Sequence, residues 1–163
     1  MRNKKVLFLT QAAMIAALYV VLTFLANALG LASGAIQVRL SEMLTVLPYF
    51  TSAAIPGVTI GCLLSNILTG CSLFDIIFGT FATLLGAFGS YLLRKHKFLV
   101  PLPPIIANVI IVPWVLRLSY GVKDAIPFLM LTVGIGEVVS CGILGMLLLV
   151  TLTKYKDVIF KQY

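Results

Sequence analysis

Long apolar stretches separated by short polar segments make up most of this chain. A helix that crosses a bilayer needs about 20 predominantly apolar residues, and several stretches reach or approach that length. The uncharged stretches are 6–38, 43–74, 76–93, 98–116 and 125–136, and the last continues as 138–153 beyond a single acid, Glu137. The pattern predicts an all-α integral membrane protein.

The stretch 43–74 is too long for one membrane helix and too short for two full ones. Pro48 and Pro56 interrupt it, and proline ends or kinks a helix. We therefore predict a compact bundle of six transmembrane helices with a short second helix, and five spans are the alternative. The predicted segments are a first span within 6–29, a short helix near 41–51, a turn at 51–56, and spans near 55–70, 73–93, 101–119 and 126–153.

Composition supports the membrane assignment. The 163 residues are 61% hydrophobic and 10% charged, with a mean hydropathy of +1.11, whereas a soluble domain is about half apolar and about a quarter charged. The length predicts one transmembrane domain, 1–163, with little of the chain outside the bilayer. The three cysteines lie far apart and lack metal-ligand spacing, so we expect no metal and no cofactor.

The basic residues predict the orientation. The net charge is +7, and cytoplasmic segments contain an excess of Lys and Arg. Six spans place nine basic residues on one side and three on the other, and five spans would scatter them. The nine are Arg2, Lys4, Lys5, Arg94, Lys95, Lys97, Lys154, Lys156 and Lys161; the three are Arg39, Arg117 and Lys123. The protein is thus predicted to lie in the plasma membrane with both termini on the cytoplasmic side. Topology accounts for these charges, so we expect no nucleic-acid partner.

Glu137 is the most informative polar residue, because it is the only charge in the apolar run 125–153. A carboxylate at membrane depth costs about 2.5–3.5 kcal/mol on insertion scales and is by default a candidate functional residue. The predicted topology places it about three turns into the last helix from the outer side. Three explanations remain open: a buried neutral acid, a partner of an arginine, or a ligand-binding group.

Other polar residues collect towards the same outer side. Besides Glu137, the candidates for ligand binding are Arg39, Glu42, Asn66, Asp75 and Trp114, and Gln37, Ser41, Arg117, Lys123 and Asp124 lie in the neighbouring segments. Ordinary surface pairs, such as Arg39 with Glu42, are the alternative explanation, and such pairs contribute little. Asp75 could also complement a helix dipole.

Motifs for energy conversion and catalysis are absent from the sequence. It has no G-x-x-x-x-G-K-[ST], no H-E-x-x-H and no G-x-S-x-G. We therefore expect a binding or permeation component rather than an enzyme, with any ATP hydrolysis on partner subunits.

Small residues in the first helix form a candidate docking surface. Ala12, Ala13, Ala16 and Ala17 make two overlapping A-x-x-x-A pairs, a spacing that lets helices approach closely in lipid. Packing against the protein's own helices is the alternative. For the pairs Gly57/Gly61 and Ala82/Gly86, internal packing is the preferred interpretation.

Six sequence blocks resemble a known family. They are QVRLSE (37–42), TVLPYFTSAAIPG (45–57), GCLLSN (61–66), DIIFGTFATLL (75–85), PLPP (101–104) and GIGE (134–137). In this order, they resemble the QueT-type queuosine-precursor transporters, substrate-binding (S) components of energy-coupling factor (ECF) transporters. The resemblance implies a six-helix protein with an outward-opening pocket. It also implies docking through the first-helix alanines to a transmembrane T component that two ATPases drive.

The implied ligand is a 7-deazaguanine: queuine, preQ1 or preQ0. On this hypothesis, Glu137 accepts the two parallel donors of the guanine-like edge, since charge-assisted hydrogen bonds are the strong ones. Asn66 or Arg39 would donate to the ring carbonyl, and Asp75 or Glu42 would face the aminomethyl cation of preQ1. Phe74, Trp114 or Tyr120 would stack on the base. An S component for another small vitamin or nucleobase, and a small membrane protein without a transport role, remain the alternatives.

Overall fold

The computed structural model describes residues 4–32 and 36–159, and within these ranges the chain is helical with no strand. The helices are α1 (Lys4–Ala28), a 3₁₀ helix (Leu40–Tyr49), α2 (Ala54–Leu68), α3, α4 (Leu102–Ser119) and α5. A short 3₁₀ turn, Lys97–Leu99, precedes α4. Helix α3 begins with a π-helical turn, Asp75–Gly79, and continues as Thr80–Leu92. Helix α5 comprises Ile126–Glu137, a π-helical segment Val138–Leu144, and Gly145–Ile159.

The all-α prediction is confirmed, and each predicted helix appears near its predicted position. Four segments of the described chain are long and apolar enough to cross a membrane: Lys4–Ala28, Asp75–Leu92, Lys97–Ser119 and Ile126–Lys156. Helix α2 is apolar but only 15 residues long, and the predicted short second helix is the 3₁₀ helix of 10 residues. The protein is thus a multi-pass membrane protein, while the count of six spans stays a prediction. Arg2 and Lys161, used for the orientation, lie outside the described residues.

The 3₁₀ helix lies inside the bundle rather than on its surface. Most of its side chains are buried, and it contacts α1, α2, α3 and α5. Leu44 and Leu47 belong to the main apolar cluster together with Ile15 and Val58. Because neighbouring helices surround this segment, it does not need the length of a membrane span. Its position brings the polar residues at its start, which include Glu42, into the interior.

Small residues let α1 and α2 approach closely. A Cβ atom added to Gly61 would lie 2.6 Å from the Cβ of Tyr19 and 3.0 Å from the carbonyl oxygen of Ala16, and Gly57 packs against α1 in the same way. Gly86 likewise leaves room for Pro104 of α4, whose Cα would lie 2.6 Å from an added Cβ. The predicted internal packing of these glycines is confirmed.

The same contact divides the four alanines of α1 between two faces. Ala12 and Ala16 are buried towards α2, whereas Ala13 and Ala17 are exposed. The two A-x-x-x-A pairs therefore have different surroundings. One belongs to the internal helix contact, and the other is available on the outside of the bundle.

A tight turn connects α2 to α3. Gly70 has φ +72°, and the chain bends there before α3 begins. A positive φ is favourable for glycine and strained for most other residues. The turn places Ser72 and Asp75 at the end of the bundle where α2 finishes and α3 begins.

Candidate substrate-binding site

Two neighbouring cavities open at the end of the bundle where α1, α2 and α4 finish and α3 and α5 begin. The larger has a volume of about 400 Å³ and the smaller about 160 Å³. Gln37, Arg39, Leu116 and Val122 line both cavities, so the segment before the 3₁₀ helix lies between them. The polar lining of the larger cavity includes Thr23, Asn27, Ser41, Ser65, Asn66, Thr69, Asp75 and Tyr120; that of the smaller includes Asp124, Thr132 and Glu137.

A contact between backbones fixes the segment that borders both cavities. The Gln37 carbonyl lies so close to Gly136 that a Cβ atom at this glycine would collide with it. Gly136 therefore lets residues 36–39 cross directly against α5. Sequence reasoning missed this role, although the signal was present as a glycine directly before the membrane acid Glu137.

Asp75 is held in the wall of the larger cavity by three residues. The Tyr120 hydroxyl donates to Asp75 Oδ2 at 3.0 Å, and the Asp75 backbone N–H donates to Ser72 Oγ at 3.2 Å. Arg39 Nη2 lies 3.9 Å from Asp75 Oδ1, and the two side chains form an ion pair. Arg39 is thus paired with Asp75 and not with Glu42, the sequence neighbour suggested as an ordinary pair.

Tyr120 remains a donor at neutral pH. Burial raises the pKa of its phenol, and the nearby Asp75 carboxylate raises this pKa further. The hydroxyl also accepts from the Ser72 backbone N–H at 3.3 Å. Tyr120 therefore connects the end of α4 to the turn between α2 and α3.

Asn66 lies beside Asp75 in the larger cavity. Its Nδ2 is 3.4 Å from the Asp75 carbonyl oxygen and 3.6 Å from Cys62 Sγ, both long contacts. A weakly bonded amide on a cavity wall can exchange these contacts for a ligand without a large loss.

Glu137 lines the smaller cavity from its position three turns into α5. Its side chain is almost completely buried, and Cys141 Sγ lies 3.3 Å from Glu137 Oε2. Asn108 of α4 faces the same carboxylate, and its Nδ2 makes no hydrogen bond within the described chain. Cys141, one turn further along α5, contacts the Glu137 side chain, while Gly134, one turn earlier, packs towards Val109 of α4.

Glu42 lies beneath the cavities and lines neither. It is fully buried, and its Oε1 accepts hydrogen bonds from the Tyr19 hydroxyl and, at 3.2 Å, from Thr83 Oγ1. Its Oε2 has no hydrogen-bond partner in the described chain. Tyr19 and Thr83 were not predicted as site residues. The signal for them was weak, because single hydroxyl groups are common in membrane helices.

The side chains of Glu42, Glu137 and Cys141 bring atoms that could bind a metal close together. Oxygen atoms of Glu42 and Glu137 and the sulfur of Cys141 all lie within 4.8 Å of one another. The sulfur also lies 3.4 Å from the Glu42 carbonyl oxygen. Because hydrogen bonds within the protein engage most of this group, we interpret it as a polar core beneath the cavities.

Asp75 and Glu137 each lie next to a departure from regular α-helix. The π-helical turn of α3 begins at Asp75, and that of α5 begins directly after Glu137. Such π-helical turns are rare and occur frequently at functional sites. They support the assignment of the two cavities as the functional region.

Comparison with known proteins identifies the family. The model of the QueT transporter family matches residues 9–154. The chain belongs to the QueT transporter family. It is 39% identical over 84 residues to the "Queuosine precursor transporter QueT" of Lactococcus lactis subsp. cremoris (strain MG1363). That alignment covers 52% of this chain and 49% of the relative, so it spans about half the length of the curated protein. No solved structure matches.

Membership of the QueT family confirms the resemblance seen in the sequence. It agrees with the expectation of a transporter rather than an enzyme, and with the multi-pass helical fold. The blocks containing Arg39 and Asp75 contribute to the cavity lining, as does the block ending at Glu137.

The aromatic candidates of this QueT family member have different positions. Tyr120 lines the larger cavity, whereas Trp114 is 53% exposed on α4 and lines neither. Phe74 is also half exposed and stacks on Phe78, with ring centroids 6.2 Å apart. The structure therefore groups Arg39, Asn66, Asp75, Glu137 and Tyr120 around the cavities, with Glu42 beneath, and leaves Trp114 apart.

Proposed function

We propose that this protein is the substrate-binding S component of an ECF-type importer and binds a 7-deazaguanine queuosine precursor for ATP-driven uptake. The observation that supports this most directly is the pair of polar cavities, with buried acids in an otherwise apolar helical bundle. The name of the Lactococcus relative supports the ligand class. Preformed pockets of about 300–1,000 Å³ are typical of small-molecule sites, and the larger cavity lies in this range.

Glu137 is the proposed acceptor for the guanine-like edge of the ligand. This edge presents a ring N–H and an exocyclic amine as parallel donors, and one carboxylate can accept both. Glu137 lies in the wall of the smaller cavity with one oxygen near Cys141. The low exposure of its side chain excludes most competing water and thus strengthens these bonds.

Arg39 and Asn66 are the proposed donors to the ring carbonyl. Arg39 lines both cavities, and Asn66 lines the larger one. Tyr120 is the aromatic side chain placed to contact the base. Glu42 would act indirectly, through the polar core below Glu137, and the exposure of Trp114 favours a position at the membrane interface.

The cavities are proposed to open to the outside of the cell. The basic segments that include Lys4, Arg94 and Lys154 lie near the opposite end of the bundle, and the excess of positive charge predicts that end to be cytoplasmic. Ligand would enter from outside in the plasma membrane. The ATPase-driven partner would then expose the site to the cytoplasm.

The exposed alanines of α1 are the proposed docking surface for the T component. Ala13 and Ala17 are exposed, whereas Ala12 and Ala16 are already occupied by α2. Small residues at this spacing allow a partner helix to approach closely in lipid. Two ATPase subunits would supply the energy, in agreement with the absence of a nucleotide-binding motif from this chain.

Binding measurements on purified protein test the proposal. We expect preQ1, preQ0 or queuine to bind and to raise the melting temperature, and mass spectrometry to find such a compound co-purifying from cells. Riboflavin and biotin are the comparison ligands. Tight binding of either one without binding of any deazaguanine would refute the proposed substrate and favour an S component for another vitamin.

A further inference from the structure

Acidic side chains predominate around the two cavities. Asp75, Asp124 and Glu137 line them, whereas Arg39 is the only Lys or Arg in either lining as described. Glu42 adds a fourth carboxyl group directly beneath, with an oxygen atom that lacks a hydrogen-bond partner in the described chain. The site therefore contains more acidic than basic groups.

Arg39 does not balance all of these acids. It lies 3.9 Å from Asp75, and none of Glu42, Asp124 and Glu137 forms an ion pair within the described residues. Carboxylates held away from water are destabilised unless a positive charge or hydrogen bonds compensate them. A bound ligand with a positive charge would supply part of that compensation, and a neutral ligand of the same shape would not.

Asp75 is the acid best placed to contact such a charge. Tyr120 holds one of its oxygens at 3.0 Å, and the other, Oδ1, makes no hydrogen bond and has Arg39 only at the limit of an ion pair. Gly79 lets Oδ1 pack directly against α3, because a Cβ atom there would lie 3.0 Å from it. Glu42 is less suitable, since it lines neither cavity and its Oε1 accepts two hydrogen bonds.

The position of Asp75 relative to Glu137 suits a ligand with two polar ends. Glu137 lies in the smaller cavity and Asp75 in the larger, and Arg39 and Gln37 lie between them. If Glu137 accepts the guanine-like edge, the substituent on the opposite ring points away from Glu137, and the larger cavity is the space that adjoins the smaller one. Its volume of about 400 Å³ leaves room there for a substituent.

We propose that Asp75 selects 7-deazaguanines with a positively charged 7-substituent, such as the aminomethyl group of preQ1, over those with a neutral one, such as the nitrile of preQ0. This inference depends on the proposed function, because it assumes a deazaguanine in the cavities. It assigns the specificity among precursors to one side chain. Tyr120 and Ser72 act as positioning residues that hold the carboxylate.

The test compares preQ1 and preQ0 on the wild type and on Asp75→Asn by isothermal titration calorimetry. We expect the wild type to bind preQ1 at least about tenfold more tightly than preQ0. Asp75→Asn should lower the preQ1 affinity by about tenfold or more while changing the preQ0 affinity by less than about threefold. Asparagine keeps an oxygen that can accept from Tyr120, so the wall of the cavity is retained.

Asp75→Glu is the matched control, because it keeps the charge and should keep the preference for preQ1. Equal wild-type affinities for the two ligands would overturn the inference and leave the proposed function intact, as would an equal loss for both ligands in Asp75→Asn. Failure of the wild type to bind either compound would overturn both. If Asp75→Asn does not fold, the wild-type comparison still overturns the inference when the two affinities are equal, and a loss of the preference for preQ1 in a folded Asp75→Glu protein would also count against it.

Discussion

Replacement of Glu137 by glutamine tests the central assignment. The substitution keeps the shape of the side chain and one acceptor oxygen, and it places an NH2 group where the second oxygen was. If the guanine-like edge donates two parallel hydrogen bonds to Glu137, one becomes a contact between two donors. A hydrogen bond to a charged group contributes about 1.5–3 kcal/mol, so we expect the affinity for the bound deazaguanine to fall about 10- to 150-fold.

The assay is titration calorimetry on detergent-solubilised protein, together with melting curves without ligand. The fold should persist, because the retained oxygen can accept from Cys141, which lies 3.3 Å from the carboxylate in the wild type. Glu42→Gln is the comparison variant, and its loss of affinity should be smaller because Glu42 lines neither cavity. A Glu137→Gln protein with normal melting and an affinity within about twofold of the wild type would refute the role of Glu137.

Three further predictions concern packing, docking and orientation. Gly61→Ala should lower the melting temperature, since the new Cβ would lie 2.6 Å from the Cβ of Tyr19 and overpacking costs about 1–3 kcal/mol. Gly142→Ala is the control. Its Cβ would have no neighbour closer than 3.6 Å, so this substitution should not lower the melting temperature. The double substitution Ala13→Leu/Ala17→Leu should abolish co-purification with the proposed T component but leave ligand affinity unchanged, and normal complex formation would exclude this face as the docking surface. A membrane-impermeant maleimide should label Cys71 in intact cells, because this thiol lines the larger cavity, and saturating ligand should slow the labelling; labelling only after permeabilisation would reverse the proposed orientation.

The hydrophobic pattern predicted the helices well because helix length and proline position are local properties. Pro48 and Pro56 divided the long stretch 43–74 at the place where the 3₁₀ helix and α2 are separate. The pattern did not indicate that the short second helix is surrounded by its neighbours. That arrangement depends on contacts with four other helices, which no local sequence signal specifies.

The sequence predicted which residues belong to the candidate site, but not which of them contact one another. Asp75 and Glu137 were found because acids in apolar helices are rare and costly. The pairing of Arg39 with Asp75 was not predicted, because spacing along the sequence indicates the nearby Glu42 as the partner. The two residues meet only after the segment before the 3₁₀ helix crosses α5 at Gly136.

The alanines of α1 show the same limit. Spacing by four residues identifies a surface suited to close packing, but two such surfaces overlap on one helix, and spacing cannot distinguish them. Gly57 and Gly61 on α2 occupy the face that contains Ala12 and Ala16, and they leave the face with Ala13 and Ala17 exposed. A leucine at Ala12 or Ala16, on the buried face of α1, should therefore destabilise the isolated protein. A leucine at Ala13 or Ala17, on the exposed face, should affect only its assembly. The two faces separate folding from docking in a single helix, and the order of melting temperatures among these variants would show whether the assignment is correct.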